Sequence, residues 1–229
     1  MVHYKLTYFL SRGLADVSRQ LFHLADVEFE DERLNHEQFA ERKQSFPFKQ
    51  VPVLTVDGLE IPQSMAIARY LAKKFGSDIG PSISQLPVEI SKLDNILTGF
   101  AGSTPEEQAM VDAFVDQFKD FYAEIHDYFY TMLGFTQLDK EEQKEKVLIP
   151  ARDKFLPLLV KYLEKSKSGF LVDSGITFAD LIIIDDMTTL INWYPEYAEG
   201  YPEILAWRER VMNYPKLKEY IEKRPVTMA

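Results

Sequence analysis

Apolar residues change their spacing once along this chain, and that change limits the fold more than any other feature. Up to Gly76, short alternating runs are interleaved with helix-length runs, whereas beyond Gly102 only three- and four-residue steps remain. In the first part, His3 to Phe9 (HYKLTYF) alternates and reads as a strand. Gly13 to Ala25 carries Leu14, Val17, Leu21 and Leu24 at helical spacing, Glu28 to Leu34 alternates again, and His36 to Gln44 reads as a short, irregular helix. Val51 to Val56 is a β-branched strand, which Asp57-Gly58 turns back into Leu59 to Ile61. Ser64 is positioned to cap a helix from Met65 to Phe75, with Gly76 as its stop.

The order β-α-β-α-β-β-α predicts a small mixed sheet with helices on both faces, a thioredoxin-like α/β domain over 1–76. After it, Thr104-Pro105-Glu106-Glu107 predicts a helix start with Thr104 as cap and Glu107 closing a capping box. Val111, Phe114, Phe118, Phe121, Ile125, Tyr128 and Met132 carry that helix to Leu133, before Gly134. Asp139 to Lys165 reads as helical with bends near Pro150 and Pro157. Thr177 and Asp180 form a second capping signal ahead of an apolar helix, Leu181 to Trp193, expected in the core, and two more helices follow near Pro202 and Pro215. The fold class is thus α/β followed by all-α: a thioredoxin-like domain (1–76), a linker (77–103) and an all-helical domain (104–229).

Composition narrows the chemistry. The chain has no cysteine, which removes disulfides, thiolate metal sites and a CxxC redox centre. His3, His23, His36 and His126 are scattered and form no paired ligand motif, so no metal is expected. A net charge of −10 disfavours nucleic acid and anionic membranes, and any anionic ligand needs a local cluster of cations or backbone donors. No apolar run approaches the ~20 residues of a membrane span, and the first residues read as a strand rather than an export signal, so the cytoplasm is the expected compartment.

YKLTYF with Arg12-Gly13, PFKQVPVL from Pro47 to Leu54, QSMAIARYLAKKFG, TFAD and the tail KRPV occur in an order that resembles cytosolic glutathione S-transferases of the sigma-like, nematode type over nearly the whole length. The resemblance implies a homodimeric enzyme that activates the thiol of glutathione, a co-substrate rather than a bound cofactor, for attack on hydrophobic electrophiles. It assigns Tyr8 as the hydroxyl that favours thiolate over thiol; from strand position alone, a core tyrosine bonded to backbone fits as well. It implies a cis peptide at Val51-Pro52, with the backbone of Val51 facing the cysteinyl part of glutathione, and Gln63 and Ser64 at a helix start that receives the γ-glutamyl carboxylate. It sets Lys43, Lys49 and Gln50 around the peptide, with Phe39 where many relatives carry tryptophan. From the partner subunit it implies an acidic residue near the γ-glutamyl ammonium, for which Asp120 fits better than Asp116. The electrophile is expected between the domains, near Phe9, Leu10 and Leu14 on one side and Tyr122, Tyr128, Phe129 and Met132 on the other.

Two features depart from the family pattern. Leu14 stands where many vertebrate sigma enzymes carry arginine, which disfavours a prostaglandin isomerase, the leading alternative activity. The stretch Ser77 to Thr98 lengthens the usual interdomain connection and reads as loop followed by a short amphipathic segment. A non-catalytic ligand carrier is the remaining alternative, against which Tyr8, Val51-Pro52, Gln63 and Ser64 are all present.

Overall fold

The structure, a computed structural model, describes residues 2–78 and 99–229, so the unusual stretch noted in the sequence lies, from 79 onward, outside the described residues. The chain divides into two compact units. The first takes the described residues up to Ala101 together with Asn213–Thr227, and the second is Gly102–Met212.

In the first unit, β1 (Tyr4–Phe9), α1 (Asp16–Leu24), β2 (Glu30–Leu34), α2 (His36–Arg42), β3 (Val53–Val56), β4 (Leu59–Pro62) and α3 (Ser64–Asp78) follow the expected order. The sheet runs β2-β1-β3-β4, with β1 parallel to β2 and antiparallel to β3. Alternation along β1 sorts its side chains. Tyr4 packs on Phe22 of α1 and Phe75 of α3, while Phe9 packs on Phe39 of α2. Helices therefore cover both faces, as the element order predicts. The Asp57-Gly58 turn has φ of 47° and 88°, the left-handed pair that a two-residue hairpin needs.

Three expectations shift. The β3 ladder begins at Val53, so Val51 and Pro52 lie ahead of the strand. Gln63, at φ 76°, supplies the carbonyl that accepts from Ile67 N–H at 2.9 Å, so Gln63 is the cap of α3 and Ser64 its first helical residue. The tight exit from β4 decides this over the serine's own preference. Helix α3 also continues through Gly76 to Asp78, because glycine permits a helix stop without imposing one.

The periodicity of α1 predicts one buried face, yet eight of its nine residues are buried, Asp16, Ser18, Arg19 and Gln20 among them. The reason lies at the far end of the chain. Helix α10 (Pro215–Lys223), which the sequence reading assigns to the helical domain, packs against α1 within the first unit.

The second unit contains α4 (Pro105–Glu124), α5 (His126–Met132), α6 (Lys140–Gln143), α7 (Ile149–Leu163), α8 (Phe178–Trp193) and α9 (Pro202–Met212). Thr104 caps α4 by accepting from Glu107 N–H, but the Glu107 carboxylate accepts from Ser103 and Ser174 rather than closing a box on Thr104. The helix expected to run to Leu133 breaks at Ile125, a fully buried residue, in a stretch with no glycine or proline to signal it. A π-helical turn, Lys144–Leu148, joins α6 to α7 just ahead of Pro150, which cannot donate to the helical ladder. Pro157 sits inside α7.

Helix α8 is apolar on most sides and occupies the core of its unit. Its capping acid, Asp180, is fully buried and accepts four hydrogen bonds: from the Thr177 amide and hydroxyl (both 2.8 Å), the Leu171 amide (3.0 Å) and Trp207 Nε1 on α9 (2.9 Å). Removing the carboxylate orphans all four donors. Asp180→Ala is expected to lower stability by about 4 kcal/mol or more, measured by urea denaturation, while Thr177→Ser, which keeps the hydroxyl, stays within about 1 kcal/mol.

Candidate active site

The register of the sheet assembles the candidate residues at one end. Thr7 pairs with Val53 and Val53 with Pro62, so one step further brings Tyr8, Pro52 and Gln63 abreast across β1, β3 and β4. The Val51-Pro52 peptide is cis, as the resemblance implies, and Pro52 is buried with Val51 half-buried beside it. Gln63 Nε2 donates to Gln50 Oε1 at 3.4 Å, which joins the loop before β3 to the start of α3. Ser64 is buried in the first turn of α3, where backbone N–H groups have no intrahelical acceptor and the helix dipole is positive.

Tyr8 lies on the α1 side of the sheet. Its Oη accepts from Leu14 N–H at 3.3 Å, and the Arg19 guanidinium stands 5.9 Å from its ring centre. Gly13, at φ 41°, makes room for this: a Cβ there would fall 2.7 Å from Tyr8 Oη. Arg12-Gly13 is visible in the sequence as a motif, but its role as space for the tyrosine hydroxyl emerges only in three dimensions.

On the other face, α2 brings Phe39 against Phe9 and Phe46, with ring centres 5.0 and 6.1 Å apart. Lys43 Nζ lies 6.0 Å from the Phe39 ring, and Lys43, Lys49 and Gln50 are exposed. Asp120 and Asp116 are exposed on α4 of the second unit. Of the residues expected around the electrophile, Tyr128 and Phe129 are buried in the second unit, with Phe129 packed on Trp193. Among the described residues no cluster of three or more His, Asp or Glu side chains is arranged to hold a metal ion.

A charged clasp that the sequence reading did not find also ties α2 to the sheet. Glu32 on β2 accepts from Arg42 at 2.9 and 3.2 Å and from the Thr7 hydroxyl at 2.8 Å, and pairs with Lys5 at 3.2 Å. The alternation EDER in an edge strand is its only trace in the sequence. The Arg42 bonds, aided by Thr7 and Lys5 and opposed by burial, pull the Glu32 carboxyl from its ordinary 4.5 down to about 2. An acid with a depressed folded pKa stabilises above its unfolded value and loses that contribution as pH falls. Arg42 is 42% exposed, so solvent screens the clasp. Glu32→Gln is expected to lose about 1 kcal/mol at neutral pH in denaturant melts, with the gap to wild type closing between about pH 4.5 and about pH 2.

Comparison with known proteins supplies the family. The glutathione S-transferase N-terminal domain matches residues 4–73, and the glutathione S-transferase C-terminal domain matches residues 108–224. The chain is 44% identical to glutathione S-transferase 3 of Caenorhabditis elegans over 228 residues, 99% of each chain. It superposes on a Nu-class enzyme from Haemonchus contortus (TM-score 0.83, 43% identity, full coverage of both chains). It likewise superposes on a glutathione S-transferase from Necator americanus described as monomeric (TM-score 0.86, 42% identity, 98% of each chain). Prostaglandin synthase D of Nilaparvata lugens is also similar (TM-score 0.78, 32% identity, 98% of this chain and 100% of that one). With both halves of the chain matched in order, this protein belongs to the glutathione S-transferase family.

Proposed function

We propose that this chain is a glutathione transferase in which Tyr8 activates the glutathione thiol for attack on electrophilic small molecules. The observation that carries the reading is the Leu14 N–H bond to Tyr8 Oη at a sheet end shared with Val51-Pro52 and Gln63. The Leu14 amide orients Oη, and in this reading the hydroxyl donates a hydrogen bond to the glutathione sulfur. A thiol of ordinary pKa, about 8.5, is mostly protonated at pH 7, and a donor to the sulfur favours the anion. The proton passes to solvent, the sulfur lone pair attacks the electrophilic carbon, a C–S bond forms, and the leaving group departs with its bonding pair.

The remaining residues then have roles set by their chemistry. Val51, outside the β3 ladder, offers backbone groups to the cysteinyl residue. Gln63, Ser64 and the first turn of α3 receive the γ-glutamyl carboxylate. Lys43, Lys49 and Gln50 surround the glycyl end as exposed polar groups in an otherwise acidic protein, and Phe39 contributes an apolar wall. In this reading residues 1–76 bind glutathione, 77–103 link, 104–229 contribute the electrophile pocket apart from α10 and the tail, which belong to the first unit, and the protein acts in the cytoplasm. Among the described residues no helix is long and apolar enough to cross a membrane.

The functional form in this reading is a homodimer, with Asp120 of one copy near the γ-glutamyl ammonium held by the other. Phe48 supports it: its ring is 69% exposed on a residue at φ 55°, an aromatic side chain presented outward by the loop before β3. Sedimentation is expected to give two copies per particle, and Phe48→Ala to weaken association by at least about tenfold.

The similarity to a prostaglandin synthase D favours one second reading, an endoperoxide isomerase using the same thiolate. Leu14, apolar beside Tyr8, favours conjugation over it, and product analysis with an endoperoxide separates the two. The central test is conjugation to an aryl halide. Tyr8→Phe is expected to lose about a hundredfold in rate while still retained on immobilised glutathione. A wild type that binds glutathione but turns over neither aryl halides nor peroxides is instead a ligand carrier.

A further inference from the structure

The segment between Tyr8 and α1 is held by residues from the opposite end of the sequence. From its own helix, Arg19 donates to the carbonyls of Phe9 (3.4 Å), Ser11 (3.1 Å) and Arg12 (3.4 Å), and pairs with Asp31 at 3.0 Å. From the tail, the Ala229 carbonyl accepts the Arg12 amide at 2.9 Å, and the Thr227 hydroxyl accepts Arg12 Nε at 3.3 Å. At the first residue of α1, the buried Asp16 carboxylate accepts from Tyr220 Oη at 2.7 Å, from Arg224 at 2.5 Å and from Gln20 at 3.1 Å. The Arg19 guanidinium is 3.7 Å from the same carboxylate. Asp16 and Arg19 are each only 1% exposed. None of these groups takes part in the chemistry set out above, yet they fix both flanks of Leu14, whose N–H sets the Tyr8 hydroxyl.

We propose that Tyr220, Arg224 and Thr227 are positioning residues for thiol activation: the tail, anchored on Asp16 and Arg12, holds Leu14 N–H against Tyr8 so that the phenolic proton stays directed at the sulfur. This rests on Tyr8 being the activating group. The physical case is that Leu14 lies in a single 3-10 turn, Gly13–Ala15, between β1 and α1, and a hydrogen bond from its amide is only as well aimed as that turn is held. Arg19 from α1 and Tyr220 and Arg224 from the tail face Asp16, and Arg19 also faces Tyr8.

The test uses the full chain with Arg224→Gln and Tyr220→Phe combined, Arg224→Lys as the charge-preserving comparison, and Tyr8→Phe as reference. The readouts are thermal melting, retention on immobilised glutathione, and the pH profile of aryl-halide conjugation per folded protein. The combined variant is expected to be retained on glutathione, with the apparent pKa of the bound thiol raised by about one unit. Its rate then falls about tenfold at neutral pH and recovers at alkaline pH, and Arg224→Lys gives back at least half of the shift. If the combined variant does not fold, Thr227→Val, which removes the acceptor of Arg12 Nε together with the donor to the Ala229 oxygen, is expected to shift the profile in the same direction. An unmoved profile, with activity falling only in step with the folded fraction, overturns the proposal while leaving Tyr8 in place. A Tyr8→Phe enzyme as fast as wild type overturns the underlying reading instead.

Discussion

Strand register is the constraint on which the site depends. Side chains alternate along a strand, so sliding β1 against β3 by one residue would turn Tyr8 to the α2 face and bring Phe9 to the α1 face. That register is fixed by the burial of Leu6 opposite Leu54 and, at the far end of the sheet, by the hydrogen bonds between His3 and Asp57, while the two-residue Asp57-Gly58 turn aligns β4 on β3 with Val56 opposite Leu59. The turn and the sheet end it serves are separated by the length of β3, so the hairpin acts on the candidate site without touching it. Everything described there follows from this alignment: the tyrosine, the cis Val51-Pro52 peptide and the start of α3 are neighbours because three strands end together.

Much of this was legible in the residues. Alternation gave the strands, and Asp57-Gly58 gave the antiparallel hairpin. The spacing of apolar residues gave α1 and α8 their extents to within a few positions, but read α4 and α5 as one helix and α6 through α7 as one bent helical region. Local signals failed where a tertiary demand overruled them. Ser64 is a good capping residue, but the chain leaves β4 through Gln63 in a left-handed conformation and so places the cap one residue earlier. Glu107 follows Thr104 at capping-box spacing, but Ser103 and Ser174 offer better-placed donors. The apolar spacing of α1 marks only one of its faces for burial, because nothing local indicates that residues some two hundred positions away return to cover the rest.

The site candidates divide in the same manner. Tyr8, Val51-Pro52, Gln63 and Ser64 were found through a family pattern, and the fold brings them to one sheet end. Glu32, Asp16 and Arg19 were not found, since a charged residue in an amphipathic run is usually at the surface. Their pairing, and the burial of Asp16 and Arg19, are visible only once β2, α1 and the tail are assembled. The protein carries ten more negative than positive charges, yet it spends part of its positive charge on internal pairs with Glu32, Asp31 and Asp16, and leaves Lys43 and Lys49 exposed at the candidate site.

The return of α10 and the tail to the first unit has a consequence for how the protein is made. A ribosome delivers β1 through α3 first, then the whole of the second unit, and only then residues 213–227. Until those last residues emerge, the buried Asp16 carboxylate lacks its Arg224 and Tyr220 partners and one side of α1 is bare. The first unit to leave the exit tunnel is therefore the last to be completed, and the nascent chain must carry an unfinished α/β layer through the synthesis of the second unit's helices.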